Sequence, residues 1–265
     1  MKSNILKDFS KYVSLNILGM IGLSCYILAD TFFVSKALGA NGIAALNLSI
    51  SIYSLVHGAG LMIGIGGAGK FAILRSRNDS KNVNKVYSMS IKLGIIVGLA
   101  FLLIGILFTE KIGMVLGADE VTLPLTKTYL QTILTFAPFF ILNNVVLAFV
   151  RNDNNPNLSM IAMLLGSFSN IILDYVFMFP LGMGMFGAAF ATGLAPIISL
   201  SVLSVHFIKK KNKFNYVKTR FKKNYIFEIL GIGLSSFITE VSSAVALITF
   251  NLVILKIQGN LGVAS

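Results

Sequence analysis

Residues 87–108 read YSMSIKLGIIVGLAFLLIGILF and carry one charged side chain, Lys92, in 22 positions. A helix of about 20 mostly apolar residues crosses the hydrocarbon core of a bilayer. The sequence therefore predicts an all-α membrane protein, a polytopic transmembrane helix bundle, because further mostly apolar runs bring the number of predicted spans to seven. Those runs lie at 12–37, 47–71, 126–149, 158–179 and 184–207, and from about Ile229 to Ile257.

The composition excludes a soluble helical protein. Hydrophobic residues make up 55% of the chain and charged residues 12%, whereas a soluble domain is about 25% charged. The net charge of +12 does not indicate a nucleic-acid partner, because the basic residues lie in the connections between apolar runs. Cys25 is the only cysteine, which excludes a disulfide framework and a cysteine metal site. The expected surroundings are the lipid bilayer.

The distribution of basic residues predicts how the chain is oriented. Of the 22 lysines and arginines, 16 lie before span 1 or in the connections after spans 2, 4 and 6. Cytoplasmic loops of membrane proteins carry an excess of lysine and arginine. We therefore expect a multi-pass protein of the plasma (inner) membrane with its N-terminus in the cytoplasm.

One connection is long and strongly basic. Residues 208–224 contain eight basic residues and no acid, which predicts a cytoplasmic linker between a six-helix lobe (1–207) and the start of a second lobe (225–265, span 7). A short pattern near the outer end of span 1 recurs 220 positions later, as Lys36, Gly39, Gly42 and Ala44 and then as Lys256, Gly259, Gly262 and Ala264. Transporters are often built from repeated halves, so we interpret the chain as truncated, a fragment of a longer protein.

Three acids lie inside predicted spans: Asp30, Asp174 and Glu240. A charged side chain in the middle of a span costs about 3 kcal/mol on insertion scales, so such residues are candidates for function. Asp30 and Asp174 lie at nearly the same depth in the outer halves of spans 1 and 5. The alternative is that each acid only forms a hydrogen bond with a neighbour in its own helix.

Two polar residues are expected beside these acids. Asn170 precedes Asp174 by one helical turn on the same face, and Thr192 reaches a similar depth in span 6. Carboxylate, amide and hydroxyl oxygens suit a proton or a sodium ion and not a transition metal. Two neighbouring carboxylates also repel each other, which favours proton binding. We therefore predict a proton or sodium site at Asp30, Asn170, Asp174 and Thr192, and no other metal site.

Other polar residues predict a wet cavity. Glu240 lies near the middle of span 7 within SSFITEVSS (235–243), and small hydroxyl residues let helices approach closely or line water. Asn143 and Asn144 in span 4 are candidates for cavity lining. The stretch GIGGAGK (64–70) resembles a nucleotide-binding loop, but Phe71 replaces the required serine or threonine. We interpret these glycines as helix-packing positions.

Four stretches together resemble the multidrug and toxic compound extrusion (MATE) family, in particular its MepA-like branch. The stretches are ADTFFVS (29–35) followed by Gly39, LGAD (116–119), NIILD (170–174) and GAAFAT (187–192). The turn RNDNNP (151–156) departs from the family, which usually has a glycine before this proline. Asparagine also tolerates the left-handed backbone, so the turn is expected to form.

The resemblance implies a twelve-helix antiporter of two six-helix lobes, of which about seven spans are present. Such proteins export lipophilic, often cationic, drugs in exchange for protons or sodium ions and thereby confer drug resistance. They have no cofactor besides the coupling ion and are not enzymes. The family's cation-site positions map onto Asp30, Asn170, Asp174 and Thr192, with Tyr26 one turn below Asp30, and Glu240 belongs to the site of the second lobe. Without the missing helices of that lobe, the chain alone is not expected to transport.

Two other functions are compatible with parts of the sequence. A flippase for lipid-linked oligosaccharides, from the same superfamily, would need several arginines or lysines in its cavity, whereas the charges within these spans are mainly acids. A membrane-embedded enzyme would need clustered catalytic groups, and neither His57 nor His206 has such neighbours in the sequence. A non-catalytic structural fragment is the remaining alternative.

Overall fold

The computed structural model describes residues 2–264, with side chains except at 2–5, 8, 255, 256 and 258–264. The repeat partners Lys256, Gly259, Gly262 and Ala264 therefore lie outside the residues with described side chains. The described chain forms seven helices: α1 (Lys2–Ser76), α2 (Ser80–Val115), α3 (Leu123–Thr135), α4 (Ala137–Asn152), α5 (Pro156–Met178), α6 (Gly184–Ile208) and α7 (Lys223–Ala264).

Helix α1 supplies two spans because it folds back at Gly39. Its 75 residues would extend about 110 Å at 1.5 Å per residue, far beyond the roughly 30 Å of a bilayer core. Gly39 breaks the helix with φ 64° and ψ −156°, a conformation that suits glycine because it has no Cβ. The hydroxyls of Tyr26 and Tyr53 lie 3.3 Å apart, so the first arm (2–38) and the second arm (40–76) are antiparallel.

The remaining spans follow the predicted order. Helices α3 and α4 meet at an angle of 48° and together form one span, and Pro138 lies in the first turn of α4, where its missing N–H breaks no helical hydrogen bond. Helices α2, α5, α6 and α7 are each long and apolar enough to cross a membrane. Counting the two arms of α1 separately, the described helices provide seven candidate spans, and the predicted all-α membrane fold is confirmed.

The outside of the bundle is apolar. Leu103, Leu107 and Ile172 are each more than half exposed, whereas several polar side chains, among them Asp174, are buried inside the bundle. This distribution is the reverse of that in a water-soluble protein and matches a multi-pass membrane protein surrounded by lipid.

Helix α7 packs along the second arm of α1 in the antiparallel direction. Near one end the amide of Asn251 donates to the Asn47 carbonyl at 3.2 Å, and near the other Lys70 forms an ion pair with Glu228 at 2.8 Å. Between them, a Cβ on Gly66 would overlap the carbonyl of Ile229. Glycines at such crossings let two helix backbones approach closely, which confirms the packing interpretation of the 64–70 stretch.

The substitution Gly66→Ala is therefore expected to weaken the packing of α7 on α1. An added methyl group would meet backbone atoms that cannot move aside, and overpacking of this kind costs about 1–3 kcal/mol. Gly231→Ala is the matched control in α7, because a Cβ there meets no atom within 4 Å. Thermal unfolding in detergent checks the difference. Equal melting temperatures for the two variants would contradict the close crossing.

The ends of the helices that are predicted to face the cytoplasm, called the inner ends below, are joined by an ordered linker. Phe214 of the linker is fully buried and packs against the aromatic rings of Phe71, Tyr87, Phe149 and Phe207. In the turn between α4 and α5, Asn154 adopts φ 61°, the left-handed backbone conformation that was expected for an asparagine in this turn.

Asp153 forms a buried polar cluster beneath the linker. Its carboxylate accepts from Arg75 Nη1 at 2.9 Å, from the backbone N–H of Lys213 at 2.8 Å, and interacts with His206 Nε2 at 3.0 Å. Asn155 also contacts the other ring nitrogen of His206 at 3.2 Å. This cluster joins the inner ends of α1, α4 and α6 and the linker, and no local sequence pattern predicts it.

Candidate functional site

The structure brings the two predicted acids of the first lobe together. Asp30 lies on the first arm of α1 and Asp174 on α5, and their side chains are 5% and 0% exposed. They are close enough to interact electrostatically. In each carboxylate the Oδ1 atom is buried and has no hydrogen-bond partner among the described residues. An unpartnered carboxylate oxygen in an apolar interior is unfavourable, so each oxygen is a ready acceptor for a proton or a cation.

Asn170 links Asp174 to α6. In the amide orientation that gives its nitrogen an acceptor and its oxygen a donor, Nδ2 donates to Asp174 Oδ2 at 3.1 Å. The amide oxygen accepts from the backbone N–H and the hydroxyl of Thr192, at 3.2 and 3.3 Å. Asn170 is fully buried and Thr192 nearly so. The four predicted cation-site residues therefore lie in one region, contributed by α1, α5 and α6.

Tyrosines surround the acids. Tyr26 lies one turn below Asp30 and contacts the hydroxyl of Tyr53. Tyr129 of α3 is buried, lines the same cavity as Asp30 and Thr192, and is close enough to both carboxylates to interact with them electrostatically. The sequence analysis missed Tyr53 and Tyr129. A tyrosine in an apolar run is an ordinary core residue, so nothing in the local pattern distinguished them.

A cavity of about 560 Å³ opens beside this site, lined by both arms of α1, by residues of α3, α4, α5 and α6, and by Glu240 of α7. Asp30, Tyr26 and Thr192 contribute to its wall, whereas Asn170 and Asp174 are not among the lining residues. Asp30 therefore lies between the cavity, whose wall it lines, and Asp174, which is buried in the interior of the lobe. A cation that enters the cavity meets Asp30 before it reaches Asp174.

A second group of polar residues lies on the same cavity wall. Glu240 of α7 packs against Gly58, next to His57, and the amide of Asn144 contacts His57 Nδ1 at 3.2 Å. Asn143 lines the cavity as well, and its Oδ1 atom has no hydrogen-bond partner among the described side chains. The structure therefore places Glu240, Asn143 and Asn144 in one cavity, together with His57.

A basic residue lies at the inner end of the cavity. Arg151 belongs to the last turn of α4, lines the cavity and donates from Nη1 to Asn16 Oδ1 at 2.6 Å. The sequence analysis counted Arg151 only as a loop charge. The cavity thus carries acids at Asp30 and Glu240 and one arginine near the predicted cytoplasmic side.

The donor set at the acidic pair fits a hard monovalent cation or a proton. The unpartnered Oδ1 atoms of Asp30 and Asp174 are available as acceptors there, whereas the Asn170 amide is already bonded to Asp174 and Thr192. Carboxylate oxygens favour hard cations over transition metals. Within the described part of the chain, histidine, cysteine, aspartate and glutamate form no group of three that could hold a metal ion.

A lobe of helices long and apolar enough to span a membrane, with ionisable groups buried inside it and a cavity beside them, is typical of secondary transporters. The sequence profile of the MatE family matches residues 16–176. The chain belongs to this family.

The relatives described below are named as transporters. The chain is 29% identical over its whole length to the multidrug export protein MepA of Staphylococcus saprophyticus, and it spans 59% of that protein. An inward-facing multidrug resistance MATE family transporter superposes with a TM-score of 0.85 at 28% identity, over 90% of this chain and 55% of that one. A MOP superfamily transporter from Pyrococcus furiosus, described as having a binding pocket of reverse polarity, gives 0.83 at 28% identity, over 96% and 57%. These names agree with the prediction of a MATE protein that is not an enzyme.

Proposed function

We propose that this chain forms the first lobe, and the first helix of the second lobe, of a multidrug efflux transporter. The complete protein would exchange lipophilic, often cationic, drugs for protons or sodium ions across the plasma membrane, with its N-terminus in the cytoplasm. One observation carries the proposal. Two buried carboxylates from separate spans, Asp30 and Asp174, are close enough to interact electrostatically, Asn170 and Thr192 lie beside Asp174, and Asp30 and Thr192 line the wall of a cavity.

The exchange follows from the charge of this pair. When both carboxylates are ionised they repel each other, and the binding of a positive charge nearby relieves this repulsion. That charge is either a drug cation in the cavity or a coupling ion between the two carboxylates. Binding of a proton or sodium ion between Asp30 and Asp174 removes the attraction for a cationic drug, which then leaves. Asp30 is on the first arm of α1, whereas Asp174 is held through Asn170 to α6. Ion binding thus acts between α1 and the α5–α6 pair, and this is where the helices are expected to rearrange.

The cavity lining supports a lipophilic cation as cargo. Its wall includes the aromatic rings of Tyr53, Tyr129 and Phe140 and the acids Asp30 and Glu240. Aromatic faces and carboxylates attract organic cations in a partly dry site. The MepA relative is named for multidrug export, which agrees with this cargo.

The alternative is a flippase for lipid-linked oligosaccharides. Arg151 on the cavity wall is the observation that favours it, because a pyrophosphate needs basic partners. Arg151 is, however, bound to Asn16, and the two acids of the same wall would repel a pyrophosphate. The charge of the cavity therefore supports drug export better.

Proteoliposomes that contain the full-length protein test the proposal. We expect uptake of ethidium or tetraphenylphosphonium when a proton or sodium gradient is imposed in the opposite direction, and loss of uptake when that gradient is collapsed with an ionophore. Liposomes without protein are the control. Drug movement that does not depend on either gradient, or movement of a lipid pyrophosphate analogue in place of the drug, would overturn the proposal.

A further inference from the structure

The basic linker is held in a fixed position on α2. Residues 209–222, here called the basic strap, connect α6 with α7. The backbone N–H groups of Asn215 and Val217 donate to the side chains of Asn84 and Ser88, both at 2.8 Å. Lys92 Nζ donates to the carbonyl of Thr219 at 2.6 Å. These bonds, with the buried ring of Phe214, fix the course of the strap.

The strap covers the inner end of a lipid-facing helix surface. Its three partners on α2 are Asn84, Ser88 and Lys92, which are spaced by four residues and lie on one face of the helix. The same face continues outward with Ile96, Leu99 and Leu103, which are 50%, 47% and 56% exposed. An apolar exposed stripe on a membrane helix faces hydrocarbon. The strap therefore lies where this stripe reaches the headgroups of the inner leaflet.

The strap directs basic and aromatic side chains away from the protein. Along its extended segment, Val217 and Thr219 are half-buried against α2, whereas Tyr216, Lys218 and Arg220 are exposed. This alternation is expected for extended backbone, in which successive side chains point to opposite sides. A tyrosine beside two cations is typical of a membrane–water interface, where the ring lies among the headgroups.

The described acids do not neutralise the positive charge of the strap. The strap contains no acid, and the described acids near the inner end have other partners. Asp79 accepts from Asn82, Asp153 pairs with Arg75 and His206, and Glu228 pairs with Lys70. The exposed cations of the strap thus have no protein counterion among these described acids.

We propose that the basic strap binds the headgroups of anionic lipids in the inner leaflet. Lys218 and Arg220 contact the lipid phosphates, and Tyr216 lies among the neighbouring headgroups. Basic segments beside a membrane helix attract anionic lipids by about 1 kcal/mol for each lysine or arginine, a factor of about five in local lipid concentration. Here the attraction is directed to one position, because the strap cannot move away from α2.

The chain offers a direct test because it contains no tryptophan. Tyr216→Trp introduces a single fluorescent reporter into the strap. The protein is reconstituted in phosphatidylcholine bilayers that contain a fixed fraction of either brominated phosphatidylglycerol or brominated phosphatidylcholine. We expect stronger quenching by the brominated phosphatidylglycerol, an enrichment of about fivefold for each of Lys218 and Arg220 and thus about 25-fold for both at low salt, which decreases as salt screens the charges.

Matched charge removals identify the source of the enrichment. In the reporter background, K218Q together with R220Q is expected to remove most of it, by about fivefold for each cation. K36Q together with K111Q removes two cations from the opposite side of the membrane and is expected to change nothing. If Tyr216→Trp does not fold, Phe221→Trp, with its ring exposed in the same strap, replaces it. Equal quenching by both lipids, quenching by neither, or an enrichment that survives K218Q and R220Q would overturn the proposal.

Discussion

Asp174→Asn is expected to abolish ion-coupled drug export in the full-length protein and to leave the fold intact. Asparagine has the shape of aspartate but carries no charge, and the Asp174 side chain is fully buried between α5 and its neighbours. A unit charge about 4 Å from a cation contributes about 4 kcal/mol at an effective dielectric constant of 20. Its loss therefore corresponds to a decrease in cation affinity on the order of a thousandfold.

Two measurements check this result. Drug efflux from cells or proteoliposomes should fall to the background, and the sodium- or pH-dependent rise in the melting temperature of the purified protein should disappear, because a ligand that binds only the folded state stabilises it. Glu120→Gln removes one acid from an exposed loop and should behave like the unchanged protein. Unchanged efflux with unchanged ion dependence in Asp174→Asn would end the proposal of a coupling site there.

The spans and the acids could be predicted from the sequence because both signals are local. A bilayer requires about 20 apolar residues in a row, so the seven spans could be identified by inspection, and Asp30 and Asp174 stood out as charges within them. The helical turn between Asn170 and Asp174 is also local. The packing of α1 against α5 is not a local signal. The similar depth of Asp30 and Asp174 in their predicted spans nevertheless suggests it.

The rest of the site depends on contacts between distant parts of the chain. Asn144 contacts His57 across 87 positions, and Tyr26 contacts Tyr53 only because Gly39 reverses α1. Tyr129 reaches the acids through the packing of the bent α3–α4 span. None of these residues differs in its local pattern from an ordinary core residue, so only the assembled bundle identifies them.

The count of basic residues at the inner end does not say where each side chain lies. Arg151 and the linker lysines all lie at or between helix ends, so all of them enter the count that predicts the orientation. The structure separates them into a cavity residue, Arg151, and cations displayed on a fixed strap. Whether a basic residue at a membrane boundary faces water, lipid or a cavity depends on the packing of the helix ends, which the count of charges does not include.

The buried cluster at Asp153 gives the largest expected effect on stability. Asp153→Asn retains the side-chain shape but leaves Arg75 and His206 without the carboxylate that accepts from them at 2.9 and 3.0 Å. Removing one partner of a buried charge pair costs about 3–5 kcal/mol, and because Arg75 is 27% exposed we expect about 3 kcal/mol. The Lys213 N–H also loses its charged acceptor, so the strap should open first.

Trypsin digestion and thermal unfolding together measure this effect. If the strap opens about 3 kcal/mol more readily, cleavage among its lysines should accelerate on the order of a hundredfold, and the melting temperature should fall. Glu110→Gln is the matched control, since it removes one acid from an exposed ion pair with Lys127 at the other side of the bundle, and such pairs contribute little. Equal cleavage rates for Asp153→Asn and Glu110→Gln would show that the linker is held by Phe214 and the α2 hydrogen bonds alone. In that case the polar cluster would have no part in joining the helix ends.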